Sequence, residues 1–239
     1  MFLKHKPSSP RATTPFPGAD DPLVFLKHNL TTLPGVEAIL AFGAALLSLR
    51  LAGLLARRWR ERRDPNLLGW SAGLAAYALG AAAIAAGSAA GWNEWSFRAY
   101  YLFGGLLTAA LLGAGSLLLA GGRIAGPVAV LYAGLAIGVA VAVPLETPVG
   151  GSSIPEAQEH LALFPARILA IVGNVAGSIA LITVAVRGFR RRPVGNALLL
   201  AGFAVAAAGS ALAGLGAAET SAFIAAGAGL LFAGTVATR

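Results

Sequence analysis

The sequence contains no cysteine, and only 12% of its 239 residues are charged. The absence of cysteine excludes disulfide bonds, thiol nucleophiles and thiolate metal ligands. An ordinary soluble domain has about 25% charged residues. This chain has about half that share together with 57% hydrophobic residues, which excludes a soluble globular enzyme and a disordered protein. The composition predicts a polytopic membrane protein.

The sequence contains long apolar runs with few charged residues in them. A helix needs about 20 mostly apolar residues to cross a bilayer, and seven stretches come close to that length. They are Leu33–Ala56, Leu67–Ala90, Ala99–Ala120, Pro127–Val143, Ala166–Val186, Val194–Leu215 and Ser221–Ala237. The runs are continuous and do not alternate, which favours helices over the strands of a barrel. We predict an all-α bundle of seven transmembrane helices over residues 33–239, after a proline-rich extramembrane tail at residues 1–32.

Basic residues gather in alternate loops of this arrangement. The predicted headgroup contacts are Arg57, Arg58, Arg60, Arg191 and Arg192. The remaining loops carry the acidic residues Glu94, Glu146, Glu156, Glu159 and Glu219. Because positive loops stay in the cytoplasm, we predict a multi-pass plasma membrane protein with its N-terminus outside and its C-terminus inside. The arginines are expected to meet anionic lipid headgroups, and no nucleic-acid partner is predicted.

Glycine is abundant, with 31 residues. Gly73, Gly80 and Gly87 in the second span step by seven, as do Gly202 and Gly209 in the sixth, and the two series align at an offset of 129 residues. This spacing places the glycines on one helix seam and predicts close helix packing. The offset indicates a 3+1+3 parallel repeat with the fourth span as linker. Chance similarity among Ala/Gly/Leu-rich spans is the alternative.

Few polar groups lie within the predicted spans. No aspartate, lysine or histidine is found there, which excludes bis-histidine haem ligation inside the bundle and a retinal Schiff base on the seventh span. The same shortage argues against an ion or proton pathway. No catalytic motif or metal-ligand spacing is present, so neither an enzyme nor a metal site is predicted, and no cofactor is identified.

The densest group of functional side chains lies between the second and third spans. This outer cluster consists of Trp92, Glu94, Trp95 and Tyr100, and it is typical either of an aromatic belt at the membrane surface or of the mouth of a binding cleft. The candidate ligand-binding residues are Tyr77, Arg98, Tyr101, Thr108 and Asn174. Three of them share one face of the third span, Tyr77 lies on the glycine seam, and Asn174 is expected to form an interhelical hydrogen bond.

The longest predicted loop, residues 145–165, contains Ser153-Ile-Pro-Glu156. This pattern predicts a capping box followed by a short surface helix. Glu156, Glu159 and His160 would lie on that helix as a solvated cap.

Three functional hypotheses follow from these features. The first is a non-catalytic scaffold or accessory subunit of a larger membrane complex, with a protein partner or a second copy of the chain in the bilayer. The alternative is a carrier or channel for a small, weakly polar solute that enters at the outer cluster. A further alternative is a heptahelical sensor or a binder of an apolar ligand such as a lipid, quinone or pigment.

Overall fold

The computed structural model describes residues 36–151 and 153–188, and isolated residues of helical backbone between 193 and 227. In these ranges every regular element is helical, and five helices are long and apolar enough to cross a membrane. They are Ala38–Arg62, Pro65–Ala90, Glu94–Leu119, Ala125–Ala142 and Leu163–Gly188. The all-α membrane class is confirmed for this part of the chain, and the helices match the first five predicted spans. Most of the sixth and seventh predicted spans and all of the tail at 1–32 lie outside the described residues.

The first helix, α1 (Val36–Arg62), reaches further than the sequence predicts. The arginines assigned to a loop lie instead on its last turns, where cations interact favourably with the helix dipole. Arg63 then ends the helix with a positive φ of 58°, and its N–H donates to the Trp59 carbonyl at 2.7 Å. The next helix, α2 (Pro65–Ala90), begins with proline, which lacks the N–H that the first turn leaves unpaired.

The third span consists of three joined segments, α3 (Glu94–Tyr100), π1 (Tyr101–Leu107) and α4 (Thr108–Leu119). Asn93 and Ser96 form a capping box at its start, with the Ser96 N–H 3.0 Å from the Asn93 side-chain oxygen. This cap explains why the helix begins five residues before the predicted start at Ala99. π1 has a wider turn than its neighbours and so locally shifts the helical hydrogen bonds.

The chain then forms α5 (Ala125–Ala142), the single turn α6 (Ala157–His160), π2 (Leu163–Arg167) and α7 (Ile168–Gly188). The capping box predicted at Ser153 is wrong, because α6 begins after Glu156 without a side-chain cap. His160 is buried and not solvated. Its ring packs edge-on against Phe97 with centroids 5.3 Å apart, which removes it from water.

Contacts between glycines fix the helix directions. A Cβ on Gly69 of α2 would lie 2.7 Å from the Cα of Gly115 in α4, and one on Gly80 would lie 2.9 Å from the backbone of Gly104. α2 and the third span therefore run in opposite directions. Gly113 of α4 contacts Gly177 of α7, and Gly105 contacts Asn174, so these two spans run the same way.

This arrangement gives the described bundle two chemically different ends. At the arginine end, where α1, α4 and α7 finish, lie Arg57, Arg58, Arg60, Arg62, Arg63, Arg123 and Arg187 with Glu61 and Asp64. At the acidic end, where α3 begins and α5 finishes, lie Glu94, Glu146, Glu156 and Glu159 with Arg98 and Arg167.

Candidate functional site

Polar side chains in the described spans converge on π1. The Thr108 hydroxyl donates to the Phe103 carbonyl at 2.7 Å. The Asn174 amide of α7 donates to the Gly105 carbonyl at 2.7 Å, and the Tyr132 hydroxyl of α5 lies 3.1 Å from the Leu106 carbonyl. π-helical turns within longer helices occur frequently at functional sites. Together with the cavity described below, π1 is therefore the candidate site of the described chain.

Asn174 uses both hydrogens of its amide within the protein. Besides the bond to Gly105, it donates to the Ala170 carbonyl one turn earlier in α7 at 2.9 Å. The interhelical hydrogen bond expected from the sequence is thus present. The structure shows Asn174 holding α7 to π1, and its role in ligand binding stays a prediction.

Tyr132 is the site residue that the sequence analysis missed. Its hydroxyl lies 3.1 Å from the Leu106 carbonyl and 3.1 Å from the Leu169 carbonyl, so it connects α5 with π1 and α7. Gly173 provides the space, because any Cβ there would overlap the Tyr132 hydroxyl. One feature of the sequence could have pointed to Tyr132. It is the single tyrosine of an otherwise apolar span and lies seven residues, about two helical turns, before Val139.

Arg98 stabilises the end of a neighbouring helix. Its Nη1 donates to the carbonyls of Ala140 at 2.6 Å and Val143 at 3.0 Å, in the terminal turn of α5, whose last carbonyls have no intrahelical partner. Its Nε pairs with Glu94 at 2.8 Å. The guanidinium therefore joins α3 to α5, with its side chain only 16% exposed.

A small cavity lies beside Arg98 at the acidic end, between α3, α5 and the segment that leads into α7. Its volume is about 10 Å³, room for about one water molecule. It is lined by Phe97, Arg98, Tyr101, Val139, Ala140, Leu145, Leu161 and Ala166. Tyr101 is 6% exposed, and its hydroxyl has no hydrogen-bond partner among the described residues.

The structure thus brings some predicted ligand-binding residues together and separates others. Arg98 and Tyr101 share the cavity, whereas Thr108 and Asn174 bind π1 carbonyls and do not line it. Tyr77 is half-buried on α2 and packs against the main core, also away from the cavity.

The outer cluster is divided between the core and the surface. Trp92 is buried over Gly87, where a Cβ would meet its ring at 2.5 Å, and it packs edge-on against Tyr100 with centroids 5.7 Å apart. Trp95 is 80% exposed, as a belt residue at a membrane surface would be. Glu94 is half-exposed and serves as the partner of Arg98.

Of the α2 glycines predicted to pack helices, two face the third span and one faces the linker that precedes it. Gly73 meets Leu112, Gly80 meets Gly104, and Gly87 meets Trp92. Gly202 is a buried residue of helical backbone, and Gly209 lies outside the described residues.

Of the predicted headgroup arginines, Arg57 pairs with Glu61 at 3.3 Å, with both side chains largely exposed. Arg58 and Arg60 lie beside it at the end of α1, while Arg191 and Arg192 lie outside the described residues. Over the ranges that the structure covers, no three histidine, aspartate or glutamate side chains group as metal ligands would. Comparison of the chain with known protein families, curated proteins and solved structures gives no match.

Proposed function

We propose that this protein is a non-catalytic scaffold or accessory subunit of a larger membrane complex. The supporting observation is the use of its intramembrane polar groups. Thr108, Tyr132 and Asn174 all bond to backbone carbonyls within the bundle. Polar groups used in this way stabilise helix packing and are not available to conduct a solute. The cavity beside Tyr101 is also too small for an organic substrate.

The proposal includes the full seven-span topology, with the N-terminus outside and the C-terminus in the cytoplasm of a plasma membrane protein. The separation of the arginine end from the acidic end supports this orientation, and anionic headgroups are the expected contacts of the arginine end. The 3+1+3 repeat is part of the same proposal. The offset of 129 residues pairs α1 with α7, and each of these helices has arginine in its last turn.

Native extraction tests the scaffold role. The protein should leave the membrane in a mild detergent as a particle larger than one chain, and mass spectrometry of that particle should identify the same partner, or further copies of this chain, in repeated preparations. A single chain that stays folded and without partners at every detergent concentration contradicts the proposal. An unrelated membrane protein with the same tag and expression level serves as the control.

The carrier hypothesis is the second candidate, and π1 is the observation that favours it. Transporters often place their binding sites at interruptions of regular helix, and π1 directly follows Arg98 on the third span. Vesicles containing the protein should then take up a small, weakly polar solute, and Asn174→Leu should reduce that uptake. Absence of flux across a panel of solutes, with protein that elutes as a folded species, contradicts this candidate.

A further inference from the structure

Arg50 is the one basic residue of the described spans that lies well away from a helix end. It precedes Arg57 by about 10 Å along the axis of α1 and follows Val36, where α1 begins, by about 21 Å. Its side chain is exposed, and no hydrogen bond or ion pair joins it to a described residue. In a bilayer this position lies within the hydrocarbon, where charged side chains are rare and pair with one another or with other polar groups.

The direction of α1 keeps the Arg50 guanidinium away from the nearer membrane surface. Long basic side chains close to a helix end extend into the lipid headgroups. For Arg50 the nearer surface is at the arginine end, where α1 finishes, and the Cα–Cβ bonds of a helix tilt toward its N-terminus. The side chain therefore leaves the backbone toward the centre of the bilayer. A lipid phosphate is a poor partner in this geometry, and Arg50 requires an acceptor at its own depth.

The face of α1 around Arg50 is open. A Cβ at Gly43 or Gly53 would meet no described atom within 4 Å, and Leu46 is 52% exposed. These three residues are seven, three and four positions from Arg50, so they lie on its side of the helix. We call this surface, formed by Gly43, Leu46, Arg50 and Gly53, the Arg50 face. α1 packs on the bundle through its opposite side, with the buried residues Ala41, Ala44, Ala45, Ser48, Leu51, Ala52 and Leu55.

Charge limits what can cover the Arg50 face. A second copy of this chain enters the membrane in the same direction, so a symmetric contact through this face would place Arg50 opposite Arg50. Like charges repel strongly where water is excluded. The described acidic side chains also lie at helix ends or in loops and not at the depth of Arg50. A second copy is therefore a poor occupant of this face.

We propose that the Arg50 face is the docking site for a transmembrane helix of a different protein, and that an aspartate or glutamate in the middle of that helix pairs with Arg50. Arginine and a carboxylate form short, charge-assisted hydrogen bonds, and the open glycines let the backbone of the partner helix approach closely. This inference rests on the proposed scaffold role and names the surface through which the partner binds.

Arg50→Leu tests the docking site because Arg50 has no described bond within the bundle to lose. Native extraction should recover about tenfold less partner with this variant than with the wild type, since the carboxylate is then left unpaired. Arg50→Lys keeps the charge and should restore much of the recovery. Arg123→Leu is the matched control, because it removes an exposed arginine from the turn after α4 and should recover as much partner as the wild type. Tryptophan fluorescence should show that each variant is folded.

The outcomes separate the docking site from the scaffold role. A partner that Arg50→Leu retains as well as the wild type does overturns the docking site and leaves the scaffold role standing. A wild-type particle that contains only copies of this chain has the same meaning. A wild type that is always a single chain overturns both.

Photocrosslinking in native membranes identifies what covers the Arg50 face. Benzoylphenylalanine in place of Leu46 should cross-link to an apolar peptide of another protein that contains aspartate or glutamate. The same probe in place of Leu131, which is 76% exposed on α5, should not give this adduct. Changing the carboxylate of that peptide to its amide should lower the recovery as much as Arg50→Leu does. Adducts with lipid alone, or with a peptide that has no carboxylate, overturn the proposal, and this test also applies if Arg50→Leu fails to fold.

Discussion

At the scale of single residues, the polar side chains of the described spans mainly serve the backbone. Tyr132 and Asn174 each contact two carbonyls on different turns or helices. In hydrocarbon no water replaces a lost donor, so these carbonyls depend on protein partners. The value of each bond is still modest, about 0.6 kcal/mol on average and up to about 1.7 kcal/mol.

Tyr132→Phe should lower the free energy of unfolding by about 1 kcal/mol, because the carbonyls of Leu106 and Leu169 then lose a donor. Thermal unfolding, monitored by tryptophan fluorescence, would measure this change in the free energy of unfolding. Thr183→Val on the exposed side of α7 is a suitable control for the loss of one hydroxyl. An unchanged stability for Tyr132→Phe would show that the hydroxyl does not stabilise this contact.

Arg98→Met should cost about 1.5–3 kcal/mol, because the guanidinium makes charge-assisted bonds to the carbonyls that end α5. Glu94→Gln is the comparison. The Glu94 side chain is 56% exposed, so loss of the ion pair alone should cost no more than about 1 kcal/mol. Equal losses in the two variants would mean that the ion pair, and not the helix end, is what Arg98 stabilises.

At the scale of the elements, glycines decide how closely the helices approach. Gly177 of α7 lies against the backbone of α4, and a Cβ there would overlap the carbonyl of Ala109. Gly134 and Gly138 of α5 have no described atom within 4 Å of a Cβ position. Glycine therefore brings backbones into contact on α7 but not on α5, although both helices carry two glycines spaced four residues apart.

Gly177→Ala should destabilise the bundle by about 1–3 kcal/mol, because α4 and α7 must move apart to admit the methyl group. Gly134→Ala should be neutral or stabilise by up to about 1 kcal/mol, since alanine favours the helix and meets no described atom. Chemical or thermal unfolding of both variants in one detergent makes the comparison. Equal effects would contradict the packing assigned to Gly177.

At the scale of the whole molecule, the two ends of the described bundle differ in charge, and the absence of cysteine makes their orientation testable. Single cysteines can be introduced at Ser153 in the acidic end and at Ala120 in the arginine end, both exposed. In intact cells, an impermeant maleimide should label Ser153→Cys and should label Ala120→Cys only after the membrane is opened. The reverse pattern would overturn the N-out orientation, and the wild type, without cysteine, is the blank.

The apolar runs predicted the first five helices reliably and their ends less well. The first five spans appear where the apolar runs lie, because crossing a bilayer requires about 20 apolar residues wherever they occur. α1 and α3 nevertheless extend beyond these runs, through Arg62 and from Glu94. Polar residues continue a helix at the membrane surface when the dipole or a capping box favours them. A count of apolar residues does not include the contributions of the helix dipole and the capping box to the length of a helix.

The sequence by itself determined the class of the protein, the first five spans and the chemical character of each end, since these depend on composition along the chain. Only the tertiary structure decided what the polar residues do. Arg98 meets the end of α5 forty-two residues away, and Tyr132 reaches π1 and α7 through the space at Gly173. Such partners are carbonyls, which every residue carries, so a sequence cannot show which of them a side chain will reach. The fold alone sets that proximity.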